Sequence, residues 1–305
     1  MMPSIVVHIG PPKTATTSLQ LALQQVEHPK FYYGGTFQPR ERNTDSLCQK
    51  IYRTCSNQLE TRPDIKNLRN ELGGLLEAGK TVFLSEEMLL LEQDTASIKT
   101  KLNILKKILQ DFEYQILISA RPGRDALPSF YQEVFNSLPV RLQLDFAAFC
   151  RDKRSLCYDY SAVCKLLTEV GLENITIFEF NRLSTDGIDL SAFTRLQILE
   201  TKILTLKKAN TGQTGKSTST RMLPSVSLKN IGRLAPVKYL VNRLKIREIP
   251  GYKYIILLLD RVKFRAHGER NLVVPDDVAD RLDNSYLDAV NRYGMQRQNK
   301  RADLT

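Results

Sequence analysis

Lys13 stands among four hydroxyl residues, Thr14, Thr16, Thr17 and Ser18. Before it come an apolar run, Ile5-Val6-Val7-His8-Ile9, and a break at Gly10-Pro11-Pro12. After it, Leu19, Leu21 and Leu23 follow in a stretch free of Gly and Pro. The pattern predicts a strand, a tight turn and the start of a helix. A helix N-terminus presents N–H groups without intrahelical partners and a partial positive charge, which suit an anion. Lys13 adds a full charge at the mouth, and the hydroxyls add donors. The chemistry these residues offer is the holding of a phosphate-type group. The plainer reading is an ordinary strand-to-helix turn with a capping threonine.

The segment is not a nucleotide-triphosphate P-loop of the usual kind. That motif runs Gly, four residues, then Gly-Lys-Ser/Thr. Here two residues separate Gly10 from Lys13, and no Gly precedes the lysine. A second tempting stretch, Gly212-Gln213-Thr214-Gly215-Lys216-Ser217, fails as well, because Asn210 stands where the first Gly belongs.

Pro12-Lys13-Thr14-Ala15-Thr16-Thr17-Ser18-Leu19-Gln20 resembles the 5′-phosphosulfate loop of the sulfotransferases, most closely that of bacterial members of carbohydrate type. Ala15 stands where the family has Gly. If the backbone needs positive φ there, alanine costs about 1 kcal/mol; if only a small side chain is needed, alanine serves. A second likeness lies in 116–135, ILISARPGRDALPSFYQEVF. Family members bind the 3′-phosphate of their donor with an Arg at the end of this strand and a Ser eight residues on, the spacing of Arg121 and Ser129. An arginine gives two parallel donors to a phosphate, which lysine cannot. In TVFLSEEMLLL, residues 81–91, Glu86 occupies the place of the family's acceptor-activating carboxylate, with Glu87 as the less favoured neighbour. The plain reading is a glutamate favoured by a helix N-terminus. Residues 177–183 and the end at Tyr293-Gly294 also resemble the superfamily.

The resemblance implies a P-loop-type α/β fold and 3′-phosphoadenosine 5′-phosphosulfate as donor, with no metal. Lys13 and Glu86 would be catalytic. Lys13, Thr14, Ala15, Thr16, Thr17, Ser18, Arg121 and Ser129 would bind the donor. The acceptor would be a hydroxyl or amine, of a saccharide, a glycolipid or another small molecule. The other function classes are a nucleotide kinase or NTPase using the same loop, and a non-catalytic binder of polyanions.

The elements that must position these residues follow from pattern. Apolar runs at 5–9, 81–84, 114–119 and 175–180 alternate with helical stretches at 64–76, 97–110, 125–138 and 158–170. Near-continuous apolar strands separated by helices predict a parallel sheet covered on both faces. His8 lies inside the first strand and reads as a packed core residue. Residues 30–60 are polar and irregular, as in a variable insert or lid. The core is expected to span 1–220, with a polar loop at 207–220, where Lys207, Lys208 or Lys216 could meet the donor. A basic, mainly helical extension follows at 221–305, including a helix opened by Val274-Pro275-Asp276-Asp277 and closed by Gly294.

The chain has 305 residues and a formal net charge of +11, a balance that favours anionic partners. The basic residues are spread rather than interleaved with aromatics, so nucleic acid is not expected. The basic run from Lys238 to Arg265 reads either as a surface for an acidic acceptor or anionic membrane lipid, or as a solvated face. Five cysteines cannot all pair. Cys150, Cys157 and Cys164 recur every seven residues, which is helix-face spacing rather than metal-ligand spacing, and they read as reduced, buried thiols. Residues 1–10 carry no signal-peptide pattern and no later apolar run could span a bilayer, so the chain is expected to be cytoplasmic.

Overall fold

The computed structural model describes residues 4–38, 45–56, 65–179, 188–189, 203–204, 220–223 and 268–294. Its centre is a five-stranded sheet of β1 (Ile5–His8), β2 (Phe31–Tyr33), β3 (Thr81–Ser85), β4 (Tyr114–Ala120) and β5 (Ile175–Glu179). The strand order is β2-β3-β1-β4-β5, and every neighbouring pair is parallel. Strands β1 and β3 are buried along their whole length, as their mainly apolar sequences favour. The fold is the expected α/β architecture.

Helices α1 (Thr16–Leu23), α2 (Leu47–Cys55), α3 (Ile65–Glu77) and α4 (Ile98–Leu109) supply crossovers. Then come α5 (Gly123–Val134), α6 (Val140–Leu144), α7 (Phe146–Cys150) and α8 (Tyr160–Glu169), and α9 (Asp276–Tyr293) closes the described chain. Residues 30–60, expected to be irregular, contain the edge strand β2 and helix α2. Only three residues make β2, and they form a strand because β3 offers an open edge, pairing Phe31 with Thr81 and Tyr33 with Phe83. So short a stretch carries no alternation that a sequence could display.

Helix α1 packs on the sheet through Leu19 and Leu23, which join Val6, Phe31, Tyr33, Phe83, Leu117 and Phe178 in one buried cluster. Each fully buried leucine contributes about 1.5–3 kcal/mol relative to exposure. This packing anchors the helix whose N-terminus follows the loop of residues 9–15. The chain leaves β1 toward the β3–β2 side of the sheet and leaves β4 toward β5. Diverging connections of this kind open a crevice at the carboxyl ends of the two strands, the usual ligand position in open α/β sheets.

Two compact units interleave along the chain. One comprises Met1–Gly123, Leu156–Gly212 and Arg281–Thr305, the other Arg124–Ser155 and Gln213–Asp280. The first contains the whole five-stranded sheet and the antiparallel pair β6 (Ile188–Asp189) and β7 (Ile203–Leu204). The second contains an aromatic cluster in which Tyr131 packs against Phe135, Phe146 and Phe149, and its hydroxyl donates to the carbonyls of Leu142 and Gln143. The antiparallel pair β8 (Thr220–Leu223) and β9 (Gly268–Asn271) belongs to the second unit.

All five cysteines are free and buried. Burial pushes the thiols of Cys55, Cys150 and Cys164 up to about 12, so they stay protonated. The seven-residue spacing does not mark one helix face. Cys150 ends α7, Cys157 sits in a 3-10 turn and Cys164 lies in α8. Among the described residues, no group of three or more His, Cys, Asp or Glu could hold a metal, and no helix is long and apolar enough to cross a membrane. The loop at 207–219, residues 180–183 and the basic run from Lys238 to Arg265 lie outside the described residues.

Candidate functional site

The loop between β1 and α1 takes an unusual path for its sequence. Lys13 and Ala15 both have left-handed backbones, with φ of 65° and 63°. The position where the resembling family has Gly therefore does require positive φ, and Ala15 accepts the cost. Ala15 is also the N-cap of α1 and makes no side-chain capping bond. Helices α2, α4, α7 and α8 begin instead with capping side chains from Ser46, Ser97, Asp145 and Asp159. The first-turn N–H groups of α1 thus meet no capping side chain from Ala15.

The four hydroxyls of this segment do not share one role, in contrast to the sequence expectation. Thr14 is fully buried and donates its hydroxyl proton to the Pro11 carbonyl at 2.6 Å. Thr16 is buried too and donates to the same carbonyl at 3.4 Å. Both side chains brace the loop from below. Thr17 and Ser18 are half-buried on the first turn of α1. Lys13 is half-buried as well, and its carbonyl accepts from Arg121 Nη1 at 3.4 Å.

Arg121 directly follows β4, and its backbone is clamped by a buried tyrosine. Its N–H donates to Tyr160 Oη at 2.9 Å, and that hydroxyl donates to the Arg121 carbonyl at 3.0 Å. Burial pushes the Tyr160 phenol well above its ordinary range, so it keeps the proton it donates. Tyr158 does the same for the neighbouring loop, donating to the Pro12 carbonyl at 2.8 Å. Neither tyrosine stands out in the sequence, because a phenol in a helical stretch reads as core. Ser129 lies half-buried on α5, in the second unit, whereas Arg121 belongs to the first.

Glu86 follows β3, the neighbour of β1 on the other side. Its N–H donates to the His8 carbonyl at 3.0 Å, and its side chain is almost wholly buried. One carboxylate oxygen accepts from Thr36 Oγ1 at 2.7 Å, and the other from the Met88 N–H at 3.0 Å. These are the contacts of a capping carboxylate, and they hold it at the carboxyl edge of the sheet. Lys101 secures the turn that follows by donating to the carbonyls of Met88 and Leu91. Burial, opposed in part by Glu92, lowers the Lys101 ammonium to about 8. Glu87 is half-buried in the first turn of the 3-10 helix Glu87–Leu90.

Lys13, Arg121 and Glu86 therefore follow three adjacent strands, β1, β4 and β3, at one end of the sheet. No known protein-family model matches the chain, and no curated protein sequence matches it. Among solved structures, it is similar to the crystal structure of a sulfotransferase from Alicyclobacillus acidocaldarius. The two share 16% identity over 83% of this chain and 99% of that one, with a TM-score of 0.41. Similarity at that level carries neither family nor activity over to this chain.

His8 shows the physical chemistry of the site's floor most directly. It is fully buried, and burial lowers its pKa from 6.5 to about 3. Below pH 6.5 the unfolded chain takes up a proton that the native imidazole refuses. The stability His8 contributes is therefore complete above 6.5 and is lost as pH falls toward 3, at about 1.4 kcal/mol per pH unit. Urea midpoints at pH 7.5 and 5.0 should show the native chain losing about 2 kcal/mol more than His8→Gln across that interval. Equal losses would mean that His8 is protonated in the fold.

Proposed function

We propose that the chain is a sulfotransferase that takes 3′-phosphoadenosine 5′-phosphosulfate as donor and a saccharide-type hydroxyl as acceptor. The observation that carries this reading is the N-terminus of α1, left without a side-chain cap beneath a loop that bears Lys13 and is braced by Arg121. The residues fit such a donor. Backbone N–H groups from residues 14–18 and the hydroxyls of Thr17 and Ser18 suit the phosphosulfate. The guanidinium of Arg121 suits the 3′-phosphate, and Ser129 keeps the role that the resemblance gives it.

The donor supplies the sulfuryl group. Lys13 would offset negative charge gathering on the leaving phosphate oxygen, with the α1 dipole acting in the same direction. Glu86 would take the proton of the attacking acceptor hydroxyl. Positive charge from Lys13 and the helix end already stands where negative charge develops, so this scheme asks for no metal.

Calorimetric titration with 3′-phosphoadenosine 5′-phosphate in magnesium-free buffer, with ATP alongside, tests the reading. The expected result is selective binding of the bisphosphate. Arg121→Ala should weaken it about 10- to 100-fold, the loss of charge-assisted hydrogen bonds, while Tyr160 still holds the backbone. Binding of ATP alone, and only with magnesium, would overturn the donor assignment in favour of a nucleotide kinase or NTPase. Tight, salt-sensitive binding of polyanions without any nucleotide binding would leave a non-catalytic binder.

A further inference from the structure

Beneath the loop runs a buried file of polar side chains that no step above uses. Gln20 Nε2 lies 3.2 Å from Ser85 Oγ, and Ser85 Oγ lies 2.9 Å from His8 Nδ1. His8 Nε2 lies 3.0 Å from Ser119 Oγ, and Ser119 Oγ lies 2.6 Å from Thr14 Oγ1. Thr14 closes the file on the Pro11 carbonyl.

The two ends set the direction of every bond between them. A carbonyl can only accept, so the Thr14 proton goes to Pro11. Ser119 must then give its proton to Thr14, and it can only accept from His8. His8 therefore carries its proton on Nε2. At the other end, Gln20 Oε1 accepts from Gln38 Nε2 at 2.6 Å, which turns the Gln20 amide nitrogen toward Ser85. Ser85 accepts there and donates to the bare Nδ1 of His8. No donor faces a donor anywhere along the file. Gly10 lies directly over it: a Cβ at that position would meet Ser119 Oγ at 1.8 Å and His8 Nε2 at 2.9 Å. The close approach of loop backbone to the file explains why glycine stands there.

We propose that His8 is a positioning residue for the anion-holding loop: its Nε2–H, acting through the Ser119 hydroxyl, keeps Thr14 on the Pro11 carbonyl and so sets the left-handed turns at Lys13 and Ala15 that bring the loop to the helix end. The proposal deepens the donor-binding reading and rests on it for the ligand, but not for the loop. Ser119 is on the loop side of His8 and Ser85 on the far side. Removing either hydroxyl deletes one oxygen from the same buried file, and only one of the two lies between His8 and the loop.

The test compares Ser119→Ala with Ser85→Ala in the full chain, with two readouts. One is affinity for 3′-phosphoadenosine 5′-phosphate. The other, without ligand, is the set of backbone amide NMR signals of residues 13–18. Ser119→Ala should weaken binding about tenfold or more and shift or broaden those amide signals. Ser85→Ala should change affinity less than about threefold and leave the loop signals in place. His8→Gln, whose amide nitrogen can reach toward Ser119, should rescue binding relative to His8→Asn, whose shorter side chain reaches only the Ser85 side. Equal effects from the two serine substitutions on both readouts would overturn the proposal. A native chain that fails to bind the bisphosphate, yet whose loop signals respond to Ser119→Ala and not to Ser85→Ala, would overturn the donor reading and uphold the positioning role.

Discussion

Replacing Lys13 with alanine should lower turnover about 10²- to 10³-fold, the usual effect of removing one preorganised charge or donor from a developing anion. The fold should survive, because Thr14, Thr16 and Tyr158 brace the loop from below. Backbone geometry adds a second, opposed expectation. Lys13 sits at φ 65°, where any Cβ is unfavourable. Lys13→Gly should therefore be as inactive as Lys13→Ala but up to about 1 kcal/mol more stable than it. Sulfuryl-transfer rates and thermal midpoints of both variants check this. Turnover within threefold of the native chain would remove Lys13 from the chemistry.

Glu86→Gln should lower turnover about 10²- to 10⁴-fold while leaving bisphosphate affinity unchanged. The substitution separates the two jobs a carboxylate could do at this position. As a cap, glutamine is nearly equivalent: its carbonyl oxygen can accept from the Met88 N–H, and the Thr36 hydroxyl can rotate to accept from its amide. As a base, it cannot take a proton at all. Glu87→Gln, in the turn just beyond, should leave turnover close to native. If Glu86→Gln also stays close to native, the carboxylate is a structural cap and the proton acceptor lies elsewhere.

The sheet was legible where local pattern and global need agree. Strands β1, β3, β4 and β5 are buried over most of their length, so their sequences are mainly apolar runs that mark them without reference to a partner. Helices α4 and α9 declare themselves by apolar spacing and by their ends, Ser97 at one start and Gly294 after the other. Strand β2 is different. Phe31–Tyr33 becomes a strand only because β3 presents its edge. Two of its three residues, Phe31 and Tyr33, also join the cluster under α1, which no local window could foretell. The cysteine heptad misled for a related reason. A period of seven describes one helix, and the chain turns between Cys150 and Cys164, at Asp152 and again at Asp159, each accepting a local hydrogen bond that ends one element or starts the next.

The candidate site divides along the same line. The chain itself determined that a cationic, hydroxyl-rich turn joins a buried strand to a helix, because Lys13, its neighbours and the helix start are consecutive residues bound by local geometry. It likewise placed Arg121 and Glu86 at strand ends. Which way each hydroxyl points was decided only in three dimensions. His8 meets Ser85 and Ser119 across 77 and 111 positions of sequence. They touch because β3 and β4 flank β1 on either side, an order set by crossovers rather than by any residue in the loop. One polar residue near the carboxyl end of each of three mainly apolar strands was the trace this left in the sequence. Its meaning depended on the strands becoming neighbours, since a buried polar side chain is tolerated only where another arrives to share its hydrogen bond.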